Sequence, residues 1–407
     1  MSTFSTITTD GQVQQDGSLA YAYLPAPTVQ SHAANLMTLG NGDLGCVWFG
    51  GTQEGVADIS IYFSTLQRDG HGQWAETWSP AQQLSFDGTR SEQNPILFVN
   101  GAQLWLLYTS QHAGNQDTSQ VCRRISEDHG RSWSEPEILF AATEHGGVFV
   151  RQPPLRVGEK LLVPVFRCAT VPGQKWVGDE DDSALMVSTD NGVTWSEQLV
   201  PGSIGCVHMN VAALSDGSLL ALYRSRWADW IYESRSTDGG ANWSVPAPTE
   251  LPNNNSSIQF TAMADGRLAL IYNHSQATAQ TERRLSLYDE IDDEGLDGSV
   301  DGPVVFEPVP TADSETKKAF WGTPRAPLTV AISSDQGASW PVRRNLEVGD
   351  GYCLSNNSRE GLNREFSYPS IHQGQDGSLH LAYTYFRQAI KYVRVDPAWV
   401  AEGESNA

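Results

Sequence analysis

Four stretches of this chain end alike: SEDHGRSW at Trp133, STDNGVTW at Trp195, STDGGANW at Trp243 and SSDQGASW at Trp340. Ser-x-Asp-x-Gly-x-x-Trp specifies a turn. Ser and Asp side chains satisfy backbone donors inside a tight loop, Gly tolerates a positive φ, and Trp fills the apolar space beneath. Each copy closes a larger unit, best seen in HMNVAALSDGSLLALYRSRWADWIYESRSTDGGANWSVP. Two strands, NVAAL and SLLALY, flank a Ser-Asp-Gly hairpin turn at 215–217; a third strand enters the repeat and a fourth follows its Trp. The same order recurs around VNGAQ at 99–103 and in QDGSLHLAYTY, and residues 64–74, STLQRDGHGQW, form a degenerate fifth copy. Helix-period apolar patterns are nearly absent.

Repeating four-stranded antiparallel units around an axis gives an all-β chain, a β-propeller. Inner strands are expected to start near His32, Asn94, Arg151, His208, Ser257 and Tyr368, at intervals of 49 to 62 residues with one gap of 111. The long gap holds one inner hairpin, SIQFTAMADGRLALIY, and an acidic insertion at about 275–327 containing DEIDDEGLDGSVDG. The expectation is one domain over 1–407 with six blades, or seven if the insertion hides strands. Residues 10–25 are expected to close the ring as an outer strand of the last blade.

With 26 basic and 48 acidic residues, a net charge of −22, the surface disfavours nucleic acid and anionic membranes as partners. No apolar run reaches the length of a membrane span. The first residues lack a basic, then apolar leader pattern, so a cytoplasmic location is expected. Cys46, Cys122, Cys168, Cys206 and Cys353 are odd in number and form no CxxC, which favours free thiols. The histidines lack metal-ligand spacing, so neither metal nor cofactor is expected. Either a monomer or a homodimer is compatible with the sequence.

Strand direction alternates, so the Trp-bearing turns share a face with the first hairpin turns. The opposite face collects inner-strand starts and second-strand ends, where loops converge on a rigid scaffold. The starts supply His32, Gln93, Asn94, Arg151, His208, Asn255 and Tyr368; the ends supply Glu54, His112, Arg167, Arg224, His274 and Arg387. Arginine and histidine recur at these matched positions in an acidic chain. That predicts a cationic axial pocket for an anion, most simply a carboxylate, which arginine grips bidentately. Of the neighbours Arg224 and Arg226, one is expected to be solvated.

These motifs resemble the Asp-box, or BNR repeat, of the sialidase superfamily. SHAANLMTLGNGDLGCVWFGGTQEG, QNPILF, LPNNNSSIQFTAMADGRLALIYNHS and FSYPSIHQGQDGSLHLAYTYFRQAIKYVRVD look like its neuraminidase-like BNR proteins, over about residues 28–396. Sialidases of this kind hold a carboxylate with three arginines and attack with a Tyr polarised by a Glu, an Asp serving as acid/base. On that pattern Tyr368 matches the nucleophile, Asp58 the acid/base and Arg224 one clamp arginine. The first-blade arginine is replaced by His32, and the Glu falls near His208. A partial resemblance to propeller lyases acting on uronates implies a different assignment. Arg167 and Arg151 would neutralise a carboxylate, while His112 and His208 position or transfer protons and Tyr368 and His32 line the floor. Neutralisation is what makes the proton alpha to a carboxylate removable, and His and Tyr can exchange it. The resemblance thus implies an enzyme cleaving a linkage beside an acidic sugar in an oligosaccharide or polysaccharide. Elimination at a uronic acid is the first expectation, exo-α-sialidase-like hydrolysis the second and non-catalytic glycan binding the third. Asn94, Gln93, Asn255 and Arg387 are expected to contact substrate.

Overall fold

A computed structural model describes residues 7–286, 288, 306–307, 317–355 and 360–402. Six antiparallel sheets surround one axis, each running from an inner to an outer strand. Blade 1 is Gln30–Thr38, Leu44–Gly51, Ser60–Leu66 and Gln82–Gln83; blade 2 is Arg90–Asn100, Gln103–His112, Asn115–Ser126 and Glu137–Phe140. In blade 3 the inner strand is split into Gly146–Val150 and Leu155–Val157, both paired with Lys160–Ala169, and Asp182–Ser188 and Ser196–Leu199 follow. Pro153 and Pro154 cause the break, since neither can donate to the ladder. Blade 4 is Cys206–Ala213, Leu219–Ser225, Trp230–Ser236 and Ala247–Pro252; blade 5 is Gln259–Ala262, Leu268–Asn273, Leu328–Ser333 and Val342–Glu347. Blade 6 combines Phe366–Gln373, Leu379–Tyr385 and Ala389–Val395 with the N-terminal strands Leu19–Tyr23 and Gln14–Asp16.

The blade count is six, and the N-terminal strand closes the ring as the sequence implies, with Ala20 opposite Arg394 and Tyr23 opposite Lys391. Polar side chains clasp neighbouring inner strands. Asn35 Oδ1 accepts from Leu97 N at 2.9 Å, Asn210 Oδ1 from Phe260 N at 2.6 Å, and Gln259 Oε1 from Ile371 N at 2.7 Å. Ser370 Oγ accepts from Leu36 N at 3.0 Å, which joins blade 6 to blade 1. Apolar clusters fill the space between blades, such as Leu220, Leu222, Leu268, Leu270 and Trp340 between blades 4 and 5.

All four repeated turns adopt one geometry. The Ser hydroxyl (Ser126, Ser188, Ser236, Ser333) donates to the Asp carboxylate at 2.7–2.8 Å. The same oxygen accepts the Gly N–H at 2.8–3.0 Å. Gly130 is at φ +90°, and a Cβ there would meet the Phe63 ring at 2.6 Å. The turns are therefore fold elements. In the degenerate copy Asp69 still accepts from His71 and Gln73 N–H groups, while Trp74 turns aside to Asp376 and His380.

Within or just ahead of five inner strands a non-glycine residue takes the left-handed region: Ala33, Asn94, His208, Asn255 and Tyr368, at φ between 48° and 60°. In four of them the ladder register shifts at that point, marking a bulge. The insertion joins strands two and three of blade 5. Arg283–Arg284 pairs with Phe306–Glu307 there, while the acidic run at 289–302 lies outside the described residues.

Trp340 is 1% exposed in the cluster between blades 4 and 5. Trp340→Ala should destabilise the protein by about 3–5 kcal/mol, read from the denaturation midpoint, while ligand binding at the axis stays intact.

Candidate functional site

The inner-strand bulges aim their side chains at the axis, on the face opposite the Asp-boxes. Tyr368 is central and buried. Its phenol oxygen accepts a 2.6 Å hydrogen bond from Arg224 Nη1, and the Arg224 guanidinium lies 5.6 Å from the ring centroid. Arg151 and Arg325 approach the same ring at 5.4 and 5.5 Å. Arg224 Nε donates to Asn255 Oδ1 at 2.8 Å, and its Nη1 lies 3.4 Å from His208 Nε2. Glu54, Gln93, Asn94, His208, Arg224 and Tyr368 share one small cavity, with space for the centre of about one water (≈10 Å³).

Of the second-strand ends, Glu54, Arg224 and Arg387 turn inward. Arg387 does not face a ligand: its Nη1 donates to Glu54 Oε2 at 2.6 Å and its Nε to Glu365. His112, Arg167 and His274 point elsewhere. Exposed His112 pairs with Arg90 at 3.1 Å. Arg167, expected to clamp the carboxylate, is held by Asp182 at 2.5–2.7 Å on the outer side of blade 3. His274 is tied to the Tyr272 hydroxyl at 2.6 Å. Parity explains these departures: successive strand residues face opposite sides. In blade 3 Phe166 faces the axis, its ring tilted against that of His208 at 5.0 Å, so Arg167 faces outward. In blade 2 Gln111 reaches inward to the Tyr288 hydroxyl and His112 does not. Asp58 is exposed too, its carboxylate capping Thr52 N–H at 3.2 Å in a turn. The cavity carboxylate from this loop is Glu54.

His32 and Arg151 pack against Tyr368 without lining the cavity. The His32 ring lies 4.4 Å from that of Tyr368 and its Nδ1 bonds the Thr384 hydroxyl at 2.8 Å. Arg151 Nη2 donates to the carbonyls of Ala34, Tyr368 and Pro369 at 3.0–3.3 Å. Gln93 bonds Ser91 at 2.9 Å, and the Asn94 side-chain oxygen is buried without a partner.

Several site groups were not foreseen. Arg226 is buried like Arg224, bonded to Asp181 Oδ2 at 2.6 and 3.0 Å, so neither arginine is solvated. Arg325 lies in the loop before blade 5's third strand and pairs with Glu365 at 2.6 Å. Arg226 directly follows the second strand Leu219–Ser225 and Glu365 just precedes the last inner strand, both legible positions; Arg325, in a loop, carries no such signal. Tyr288, Phe320 and Trp321 come from the insertion, and Trp176 from the loop after Ala169; all are buried. Tyr288 accepts from Gln111 and Gln116 at 3.1 and 2.9 Å. Trp321 faces Arg224 and Arg226 at 5.5 and 5.0 Å.

Electrostatically, five buried guanidiniums (Arg151, Arg224, Arg226, Arg325, Arg387) meet three buried carboxylates (Glu54, Asp181, Glu365). Burial lowers both Arg151 and Arg224 to about 10, with Tyr368 opposing the shift. Among the described residues neither has a carboxylate partner, and Arg151 Nε and Nη1 and Arg224 Nη2 are buried without an acceptor. Burial, then the arginines, push His32 and His208 well below the usual histidine range. Both rings are neutral. Among the described residues no group of His, Cys, Asp and Glu is arranged to hold a metal ion. The arrangement presents unfilled guanidinium donors beside a phenol, with a neutral imidazole and a carboxylate at hand.

A buried neutral histidine takes up its proton only on unfolding, so the unfolded state binds more protons as pH falls through about 6.5. Stability should therefore decline below that pH. His208→Gln should remove up to about 1.4 kcal/mol per pH unit of the decline, seen by comparing melting temperatures between neutral and mildly acidic buffer.

Comparison with known proteins gives a family and a fold. A family model for the BNR repeat-like domain matches residues 42–381. Anhydrosialidase of the leech Macrobdella decora is 28% identical over 179 residues, 40% of this chain and 22% of the leech enzyme. The chain thus matches about a fifth of that protein's length. A Hadza microbial sialidase superposes with a TM-score of 0.63 at 14% identity, covering 91% of this chain and 66% of the other. The intramolecular trans-sialidase of Ruminococcus gnavus gives 0.62 at 13% identity, covering 93% and 97%. At such identities the likeness concerns the fold. The repeated turns, the six blades and the matched domain lead to one conclusion: this chain belongs to the BNR repeat-like domain family, folded as a six-bladed propeller like those of the sialidases it superposes on.

Proposed function

We propose that the chain is a carbohydrate-active enzyme of sialidase-like chemistry, binding the carboxylate of an acidic sugar at the axis and cleaving its glycosidic bond. The observation that carries this reading is Arg224: buried, with no carboxylate partner and no acceptor for its Nη2 among the described residues, and bonded to the phenol of Tyr368. An uncompensated guanidinium inside a protein is costly and is offset when an anion arrives. Tyr368 is then placed to attack the anomeric carbon. His208, a neutral imidazole lining the same cavity, takes the phenolic proton across the water-sized space beside Tyr368, while Arg224 steadies the phenol oxygen. Glu54, held as a carboxylate by Arg387, stabilises the positive charge that develops at the anomeric carbon, and the proton taken up by His208 passes to the leaving oxygen. The relatives' names support the sugar class, sialic acid, and suggest intramolecular transfer as a variant product.

Elimination at a uronic acid has less support. It relied on Arg167 and His112, one held by Asp182 and the other exposed at the rim.

A fluorogenic aryl α-sialoside and uronate oligosaccharides, the latter followed by ultraviolet absorbance of an unsaturated product, separate the two. Sialoside turnover is expected, with the released sugar identified by NMR. Tyr368→Phe and Arg224→Ala should each lower kcat/KM by about 10²–10³-fold, and Glu54→Gln by about 10²-fold or more. Sialosides left intact, with an unsaturated uronate product formed instead, would overturn the reading.

A further inference from the structure

Blade 1 ends in an outer strand of two residues, Gln82–Gln83, and residues 84–89 then cross to blade 2, whose second and third strands run to 10 and 12 residues. The short edge leaves part of blade 2 uncovered. A cleft of ≈1030 Å³ opens there, sharing no lining residue with the axial cavity.

Register explains its floor. Glu92 stands opposite Ser110 and Ser110 opposite Gln120, while Tyr108 stands opposite Cys122. By the two-residue period of a strand these side chains share the face of blade 2 turned toward blade 1. Phe86 from the crossing loop and Ile138 from blade 2's outer strand complete the lining, 72% and 58% exposed. Apolar side chains left open beside a polar floor mark a contact surface.

The cleft is acidic. Asp87, Glu92, Glu135 and Glu137 line it with Arg124, whose guanidinium donates to the backbone carbonyls of Ser134 and Leu84. Glu137 is bonded by Arg123 at 2.7 Å and Asp87 by the Thr89 hydroxyl at 2.7 Å. Glu92 differs: it is 4% exposed, and its Oε2 is buried with no hydrogen-bond partner among the described residues. Burial, with Asp87 adding to it, pushes this carboxyl up to about 7, against a Ser85 hydrogen bond and the guanidiniums of Arg124 and Arg90. Such a group gains from a cation brought to it. Among the described residues no set of acids is arranged to hold a metal ion, and a bare ion would leave the apolar rim unused. An organic cation satisfies both, since an aromatic face also attracts positive charge.

We infer that this cleft is a second binding site, separate from the axis, for an organic ammonium ion, its amine seated on Glu92 and its apolar body against Phe86 and Ile138. The inference is independent of the reading of the axial site, whose arginines repel the same ligand.

The test uses phenethylamine and its neutral counterpart 2-phenylethanol, titrated into the full chain and followed by ligand-observed NMR. At pH 8 wild type should bind the amine about tenfold or more tightly than the alcohol. Acid protonates Glu92, so amine binding should weaken by about tenfold from pH 8 to pH 6. Burial pushes Tyr108 and Cys122 up, and both stay protonated over that range. Glu92→Gln, checked for folding by circular dichroism melts, should lose both the preference and the pH dependence; this separates Glu92 from His112, which meets Arg90 at 3.1 Å. Phe86→Ala alters an exposed position and leaves the core intact. It should weaken amine binding by about threefold while keeping the pH dependence. The inference is overturned if the amine fails to bind wild type at pH 8, if the alcohol binds as well, or if folded Glu92→Gln keeps the pH dependence. Were Glu92→Gln not to fold, unchanged amine binding by Phe86→Ala would overturn it.

Discussion

The hydrogen-bonded ladder between Leu19–Tyr23 and Ala389–Val395 holds the molecule in a ring. Each blade gives the axis few side chains, so a site exists only when all six inner strands converge. Chain ends pair directly, and convergence then follows from sheet geometry. Asn35, Asn210, Gln259 and Ser370 add a second level, passing hydrogen bonds from one inner strand to the next. These bonds are buried and bind backbone N–H groups that the inner edge would otherwise leave open. Tyr368 and Arg224, 144 positions apart in the chain, meet at 2.6 Å because this ring is closed.

The architecture was legible because it is written locally. Turn chemistry, alternating strands and a repeated Trp occupy short windows, and five inner strands lie near where those windows place them; in blade 3 the strand starts at Gly146, and Arg151, expected at its start, falls in the break before Pro153 and Pro154. The second-strand ends were only half legible. Knowing that a strand ends near Arg167 does not say whether Phe166 or Arg167 faces the axis, and one position reverses the answer. The insertion was harder still. Its composition reads as acidic and irregular, yet its described legs deliver Tyr288, Trp321 and Arg325 to the site. No periodicity announces a residue that enters a pocket from a loop.

The charge pattern inverts between surface and interior. A chain of net charge −22 gathers five arginines around one tyrosine. Three of them are neutralised in place. Glu365 takes Arg325 and Arg387, although burial opposes its ionisation, because those two guanidiniums hold its carboxyl below the usual range. Arg387 also holds Glu54, so its effect on the cavity is indirect: it fixes the carboxylate that faces the ligand. Arg226 is matched by Asp181. Arg151 and Arg224 remain, and their unfilled donors define where an anion is wanted.

The left-handed residues at the inner-strand bulges have a further consequence. Ala33, Asn94, His208, Asn255 and Tyr368 share one backbone conformation but differ entirely in chemistry. The conformation is held by the surrounding ladders, at a cost on the order of 1–3 kcal/mol for each non-glycine residue, so it does not depend on which side chain it presents. Five of the six blades therefore offer an interchangeable socket near the start of the inner strand. A propeller of this kind can acquire a new specificity by exchanging what occupies those sockets, while its sheets, turns and ring closure stay untouched.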